Sequence, residues 1–480
     1  MRPCSTFLLL LALAGCPSPE TGSGASGGTS GGVEPLGTTE PPDPATSDPT
    51  TSGSAPATSD APTSTTGDDT TSTTGASLTG DAPESSGTTG EPGTTGAVDD
   101  TTGPAPEPPW EPKGCPDIYK QDILPTFELE ISPSVLADLE DEWESGDGSK
   151  PAHPLEQFKY DDTVITNASI ELRGNKKWWP DQNKMQFEVA FNAYDKKGRF
   201  KGLKKVLFDA ARYNESFLRD RLSLKIMRDV GLPAPCANNA RLVVNGAYYG
   251  LFTSIEKVDS EFLERYFEAP NGNLYKRQDW AKKTNEEDKD ESDVEALLDA
   301  KTIQQLDAVM NLDEAILEWA AEAVLPDNDG AWAGGLNYYV YNDPLTGFNV
   351  IPWDLDATFE RIPFDVDPYT FLKENDWGRP FYTIATKDPE WFKKYIDAIA
   401  FVLAEGYDVP TLQGRIDAWA AQIADAAASD PNKPFSTKDH LDAVKTQRDY
   451  VAKRANFVKQ WLVCWQSGGT KGENGKCNPP

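Results

Sequence analysis

The sequence predicts an α+β domain in two lobes, a sheet-rich N-terminal lobe and a mainly helical C-terminal lobe, behind a long segment with no core of its own. Three observations lead there. Residues 17–112 are almost entirely Thr, Gly, Ser, Pro and acid, without a single Lys or Arg. Period-two alternation then dominates as far as Asp259, the mark of half-buried strands. Finally, three amphipathic stretches, Glu390 to Glu405, Thr411 to Ala428 and Thr437 to Cys464, close the chain with helical periodicity.

The chain has 480 residues, 38 Pro, 38 Gly and a net charge of −32. Its first segment, "MRPCSTFLLLLALAGC", has Arg2 and then an apolar run too short to span a bilayer, which reads as a secretion signal over residues 1–16. Residues 17–112 offer too little apolar surface to offset chain entropy and are expected to form a disordered tether. As a flexible coil it would span roughly 55 Å. The folded part is placed at residues 113–465, followed by a loose tail over 466–480. Its acid excess argues against nucleic acid as a partner, which would want a basic face. Cys115, Cys236, Cys464 and Cys477 allow up to two disulfides in three pairings, and with no CxxC a zinc site is not expected.

Within the folded part, "ISPSVLADLEDEW" reads as a helix with Ser132 as N-cap and Pro133 at its first position. "TVITNASIELRGN", "MQFEVAFNAY" and "KKVLFDAA" alternate as strands. "NESFLRDRLSLKIMRDVGLP" spaces Phe217, Leu218, Leu222, Ile226 and Val230 along one helical face and stops at Gly231 and Pro233. Arg219 and Arg221 read as its solvated side. Asn245-Gly246 marks a two-residue hairpin, a helix follows at "SEFLERYF", and the acidic run from Glu286 to Asp293 reads as a solvated loop. "NYYVYND" and "VIPWDLDATF" form a second strand pair among the later helices.

Only two histidines occur, His153 and His440, so His-based triads and His-rich metal sites are not expected. The chemistry on offer is Asp, Asn, Glu and Lys, hard oxygen ligands for Mg²⁺ or Ca²⁺ and cations for phosphate. Asp327, Asn328 and Asp329 follow an apolar helix, Asn337 opens a strand, and Asp354 and Asp356 are expected on one face at the end of the next. A base on the loop and a divalent ion on the strand pair would follow the logic of metal-assisted phosphoryl transfer.

On these residues the chain resembles the CotH kinase family, atypical kinases named after a spore-coat protein. The likeness runs from about Ser169 to Phe359 through "ELRGNKKWWP", "KMQFEVAF", "NESFLRDRL", "VVNGAYYGLFTSIEKVD", "GNLYK", "NYYVYNDPLTG" and "IPWDLDATF". It implies an atypical protein-kinase-like fold using ATP with Mg²⁺ or Mn²⁺. It also implies roles at matching positions: Asp329 as catalytic aspartate, with Asp327 as its competitor, and Asp354 as metal ligand, with Asn337 assisting. Lys184 would contact phosphate with Glu256 as ion-pair partner, and Lys276 would touch the nucleotide. Asp356 is either a second metal ligand or a turn cap. The chain departs from the family's pattern after "RGN", where Lys176 and Lys177 precede Trp178 and Trp179, and it has no Gly-rich phosphate loop, HRD or DFG.

"LAGC", Leu13 to Cys16, likewise resembles the bacterial lipobox, which implies lipidation of Cys16 and anchoring outside the cytoplasm, with outer-membrane sorting open. The expectation is a lipid-anchored kinase acting on Ser or Thr of a surface or secreted protein. A kinase-fold protein that only binds or builds a surface, and a DxD carbohydrate-active enzyme, are the alternatives.

Overall fold

The computed structural model describes residues 111–146, 150–174, 184–370, 379–472 and 475–480. The signal segment with Cys16, nearly all of the tether, and the positions of Lys176, Lys177, Trp178 and Trp179 lie outside the described residues.

The larger sheet contains β1 (Thr126–Glu130), β2 (His153–Leu155), β3 (Gln157–Tyr160), β4 (Thr163–Ile165), β5 (Ala168–Leu172), β6 (Phe187–Ala190), β7 (Lys205–Asp209), β8 (Ala237–Val244) and β9 (Ala247–Glu256). Its order is β2-β5-β6-β7-β9-β8-β1-β3-β4, antiparallel throughout except where β1 lies parallel to β8. The strands alternate between two cores, as the period-two pattern requires. Val206, Phe208, Leu242 and Phe252 face a cluster with Phe127, Phe158, Phe191 and Phe200, while Leu207, Leu251 and Ile255 face the core shared with the helices. The first cluster is covered by α1 (Pro133–Ser145), whose Ser132 cap accepts from Val135 N at 3.3 Å.

On the other face lie α2 (Arg219–Asp229) and α3 (Ser260–Tyr266). Helix α2 starts later than the periodicity suggests, because Asn214 and Ser216 bond to Arg219 N and Leu218 N and build a turn ahead of it. Its Arg219 and Arg221 are buried, contrary to the solvated face expected. Arg221 donates to Gln121, Asn239 and Gln422 and stacks 4.1 Å from the Trp419 ring; a delocalised guanidinium tolerates such burial when its donors are met.

A second sheet, ordered β11-β10-β12-β13, comprises β10 (Asn273–Lys276), β11 (Ala281–Lys282), β12 (Tyr338–Asp343) and β13 (Gly347–Pro352). Helices α4 (Ser292–Asp299), α5 (Ile303–Asp307) and α6 (Leu312–Val324) intervene. The acidic run ahead of α4 is not wholly solvated, since Asp293 accepts from Tyr275 Oη at 2.6 Å and from Asn273 and Asn342. Helices α7 (Pro380–Lys387), α8 (Pro389–Glu405), α9 (Val409–Ser429) and α10 (Thr437–Gln466) complete the lobe, the last three within two residues of their predicted bounds.

Disulfides join Cys115 to Cys236 and Cys464 to Cys477. The second, with β14 (Thr470–Lys471) paired to β15 (Cys477–Asn478), pins the tail expected to be loose. No helix among the described residues is long and apolar enough to cross a membrane.

Candidate functional site

The ends of β5, β7 and β9 meet β10, β12 and the turn after β13 around a cleft of two adjoining cavities. One, of about 600 Å³, is lined by Lys150, Glu171, Arg173, Glu188, Lys257, Lys276, Tyr339 and Trp353. The other, of about 450 Å³, is lined by Asp209, Arg212, Tyr213, Asp329, Asp356 and Arg361. Arg173, Gly174, Gln278, Asn337 and Asp354 line both.

The first chamber is cationic with an aromatic wall. Lys257 Nζ lies 2.9 Å from Glu188 Oε2, and Lys205 pairs with the other oxygen of the same carboxylate. Burial alone would raise Glu188, but Lys257 and Lys205 outweigh it and hold the carboxyl down at about 2. Lys276 stands 5.6 Å from the Tyr339 ring and 5.9 Å from that of Trp353, two rings packed edge to face at 5.5 Å. Burial pulls the Lys276 ammonium down while Asp354 opposes it.

The second chamber is acidic. Asp354 and Asp356 do not sit on strand β13, which ends at Pro352; they lie on a turn, Asp354 in the left-handed region at φ 61° and Asp356 in a short 3-10 helix. That turn, rather than strand alternation, brings both carboxylates into one cavity. Neither accepts a hydrogen bond or pairs with a cation among the described residues. Burial raises both, with Asp209 pushing Asp354 further up and Asp354 acting likewise on Asp356. Behind them Asp220 is pushed up to about 8 by burial and by Asp209 and Asp354, and its Oδ1 has no partner. Arg173 offsets part of this charge through a 2.5 Å bond to Asp209.

The loop carrying Asp329 is closed on itself. Asp329 N donates to Asp327 Oδ1 at 2.8 Å, and Asp329 O accepts from Asn337 N at 2.8 Å. Glu322, on α6, accepts from Ala331 N and Trp332 N, and a Cβ on Gly330 would stand 2.4 Å from its carboxylate, so a side chain there would displace the group that holds the loop. Asp329 itself is half-buried and raised by that burial, with Arg361 acting in the opposite sense. Its competitor Asp327 is fully buried and lines neither cavity.

The cleft therefore brings together Asp329, Asn337, Asp354, Asp356 and Lys276, as the sequence predicts. It does not include Lys184 or Glu256. Lys184 lies ahead of β6 rather than at its start, and its Nζ is buried against the turn after α9, on Leu251 O at 2.7 Å and Asp430 Oδ2 at 2.8 Å. Glu256 is taken by Arg265 and by Cys236 N. The lysine–glutamate ion pair that lines the cleft is instead Lys257 with Glu188. Sequence reasoning missed Glu188, although a lone acid in the apolar "QFEVAF" strand was its signal.

Whether a divalent cation suits these residues is tested by their donors. Asp354 and Asp356 are carboxylates without partners among the described residues, facing a cavity beside the Asn337 side chain. No three His, Cys, Asp or Glu side chains among the described residues are gathered to hold a metal on their own. Such an open, oxygen-only set fits Mg²⁺ or Mn²⁺, which keep water and phosphate oxygens as further ligands.

The two-lobed architecture, with a cation-lined chamber opening onto a carboxylate-lined one, is that of a chain whose family match makes it a kinase-like protein. A sequence profile described as CotH kinase protein matches residues 170–458, well beyond the Phe359 limit of the expected likeness, and the chain belongs to that family. It is 24% identical over 380 residues to the inner spore coat protein H of Bacillus subtilis (strain 168), across 72% of this chain and 99% of that protein. Among solved structures, the Helicobacter pylori proinflammatory kinase CtkA is similar at 11% identity and a TM-score of 0.32, over 58% of this chain and 95% of the other. The golgi casein kinase is similar at 12% identity and a TM-score of 0.26, over 71% and 77%. The assignment rests on the family match and not on these two structures.

Proposed function

We propose that the protein transfers the terminal phosphate of ATP to a Ser or Thr hydroxyl, with Mg²⁺ or Mn²⁺, on a protein at the cell surface or in the secreted fraction. The observation that carries this reading is the position of Asp354, which lines both chambers and so stands between a cationic pocket for phosphates and a carboxylate pocket for the acceptor. Lys257, held by Glu188, and Lys276 would contact phosphate oxygens; Tyr339 and Trp353 would face the base. Asp354, Asp356 and Asn337 would hold the metal, which when bound shields phosphate charge. Asp329 would orient the acceptor hydroxyl and take its proton as the oxygen bonds to phosphorus and the bond to the ADP oxygen breaks. Its raised pKa favours that role.

Anchoring through a lipid on Cys16, outside the cytoplasm and at the outer membrane, belongs to the same proposal; the two disulfides support an oxidising compartment. Purified protein given labelled ATP, Mg²⁺ and a Ser/Thr acceptor should incorporate phosphate, and Asp329→Ala and Asp354→Asn should not. An intact fold with no nucleotide binding would sink the kinase reading in favour of a surface-binding protein. Metabolic labelling with a radioactive fatty acid should mark the wild type and not Cys16→Ala.

A further inference from the structure

At the outer edge of the acidic chamber, Tyr213 stands 45% exposed, with the Arg212 guanidinium 4.5 Å and the Arg361 guanidinium 5.4 Å from its ring. Both arginines line the same cavity as Asp329. The local sequence fixes Arg361 there. Phe359 takes the left-handed conformation at φ 53° and buries its ring completely, and Glu360 turns inward to Arg219 at 2.8 Å. Arg361 is thereby left pointing outward onto Tyr213. Although the chain carries 77 acidic residues against 45 basic ones, Arg361 forms no ion pair with a described residue.

The cationic rim stands beside an acidic floor of Asp209, Asp354 and Asp356 and, through Arg361, opposes the rise of Asp329 without an ion-pair contact, a weak use of a guanidinium. It does suit an extended peptide that sends a hydroxyl inward and leaves a carboxylate at the edge, since successive residues advance about 3.3 Å and alternate sides. We infer that the acceptor is a Ser or Thr with an acidic residue within a few positions, read by Arg361 with Tyr213 and Arg212 at the cleft edge. This rests on the proposed kinase reading. "TSTTGDDTTSTTG", Thr63 to Gly75 of the chain itself, is a sequence of this class and supplies the probe.

The test uses the full chain with labelled ATP and Mg²⁺ and three synthetic peptides: that sequence, its form with Asp68→Asn and Asp69→Asn, and one with Lys at both positions. kcat/KM for the acidic peptide should exceed that for the Asn peptide roughly five- to tenfold at low salt, and the advantage should shrink as salt rises. Arg361→Ala should remove most of this ratio through KM, and Arg361→Lys should restore part of it. Equal or faster reaction of the Asn or Lys peptide, or a ratio untouched by Arg361→Ala, would overturn the inference. Fluorescence anisotropy of the labelled acidic peptide reads the rim without chemistry. Arg361-dependent, salt-sensitive binding without phosphate incorporation would remove the kinase reading and leave acidic-peptide recognition standing; no such binding would remove the latter.

Discussion

Lys257 Nζ sits 2.9 Å from Glu188 Oε2 at the head of the cleft, whereas Lys184, the lysine the sequence favours, is sealed against Asp430. The two lysines therefore have opposite kinds of importance. Lys257→Ala should cut kcat/KM for ATP by about two orders of magnitude, the scale of losing one charge-stabilising donor, with a smaller loss of stability than at Lys184, since Lys205 still pairs with the Glu188 carboxylate. Lys184→Met should leave Asp430 buried without its cation and cost about 3–5 kcal/mol. Urea unfolding and steady-state kinetics on both variants separate the two effects.

Glu188 also gives the fold an acid-side signature. Its folded pKa of about 2 lies below the ordinary 4.5, so its contribution is complete above 4.5 and is lost as pH falls towards 2. The size is on the order of 2 kcal/mol after allowance for coupling to its neighbours. Chemical unfolding between pH 5 and 2 should show a slope that is shallower in Glu188→Gln.

Asp354 and Asp356 are costly in the absence of a cation, since burial raises both, with Asp209 adding to the rise of Asp354 and Asp354 to that of Asp356. Mg²⁺ should raise the melting temperature of the wild type, and Asp354→Asn should abolish that rise while stabilising the metal-free protein by about 1 kcal/mol. A variant that loses stability without metal, or keeps the Mg²⁺ shift, would count against Asp354 as ligand.

The two disulfides should differ in worth. Cys115 and Cys236 are 121 residues apart in sequence, Cys464 and Cys477 only 13. On chain entropy the longer closure is worth about 4–5 kcal/mol and the shorter about 3. The Cys115→Ser, Cys236→Ser pair should accordingly melt lower than the Cys464→Ser, Cys477→Ser pair by differential scanning calorimetry.

What was legible in the sequence was local. Asn245-Gly246 takes the two positive φ values of a tight hairpin, 48° and 77°, and Ser132 caps its helix, because both features depend on neighbours a few residues away. The grouping of Asp329, Asn337, Asp354 and Asp356 was legible because they flank one strand pair. The partner of Lys184 was not, since Asp430 lies on the turn beyond α9 and nothing in "KMQFEVAF" says which helix will pack there. Arg219 and Arg221 misled for the same reason: their amphipathic helix is enclosed on the charged side by Glu360, Gln121 and Gln422, contacts made across the fold. Asp354 and Asp356 reach the cavity by a left-handed turn that a two-residue period could not foretell.

Asp430 accepts from Lys184 Nζ and from Leu251 N through one carboxylate oxygen, and Gly250 beside it leaves no room for a Cβ, which would stand 2.7 Å from that carboxylate. Tyr248 Oη and Asn432 Nδ2 cross the same seam, to Ala426 O and Tyr249 O. Sheet and C-terminal helices thus share polar groups that neither can satisfy alone, and separating them would strand charge on both sides. The two lobes should melt as one cooperative transition, and a nucleotide held at the cleft should protect from hydrogen exchange helices that never touch it.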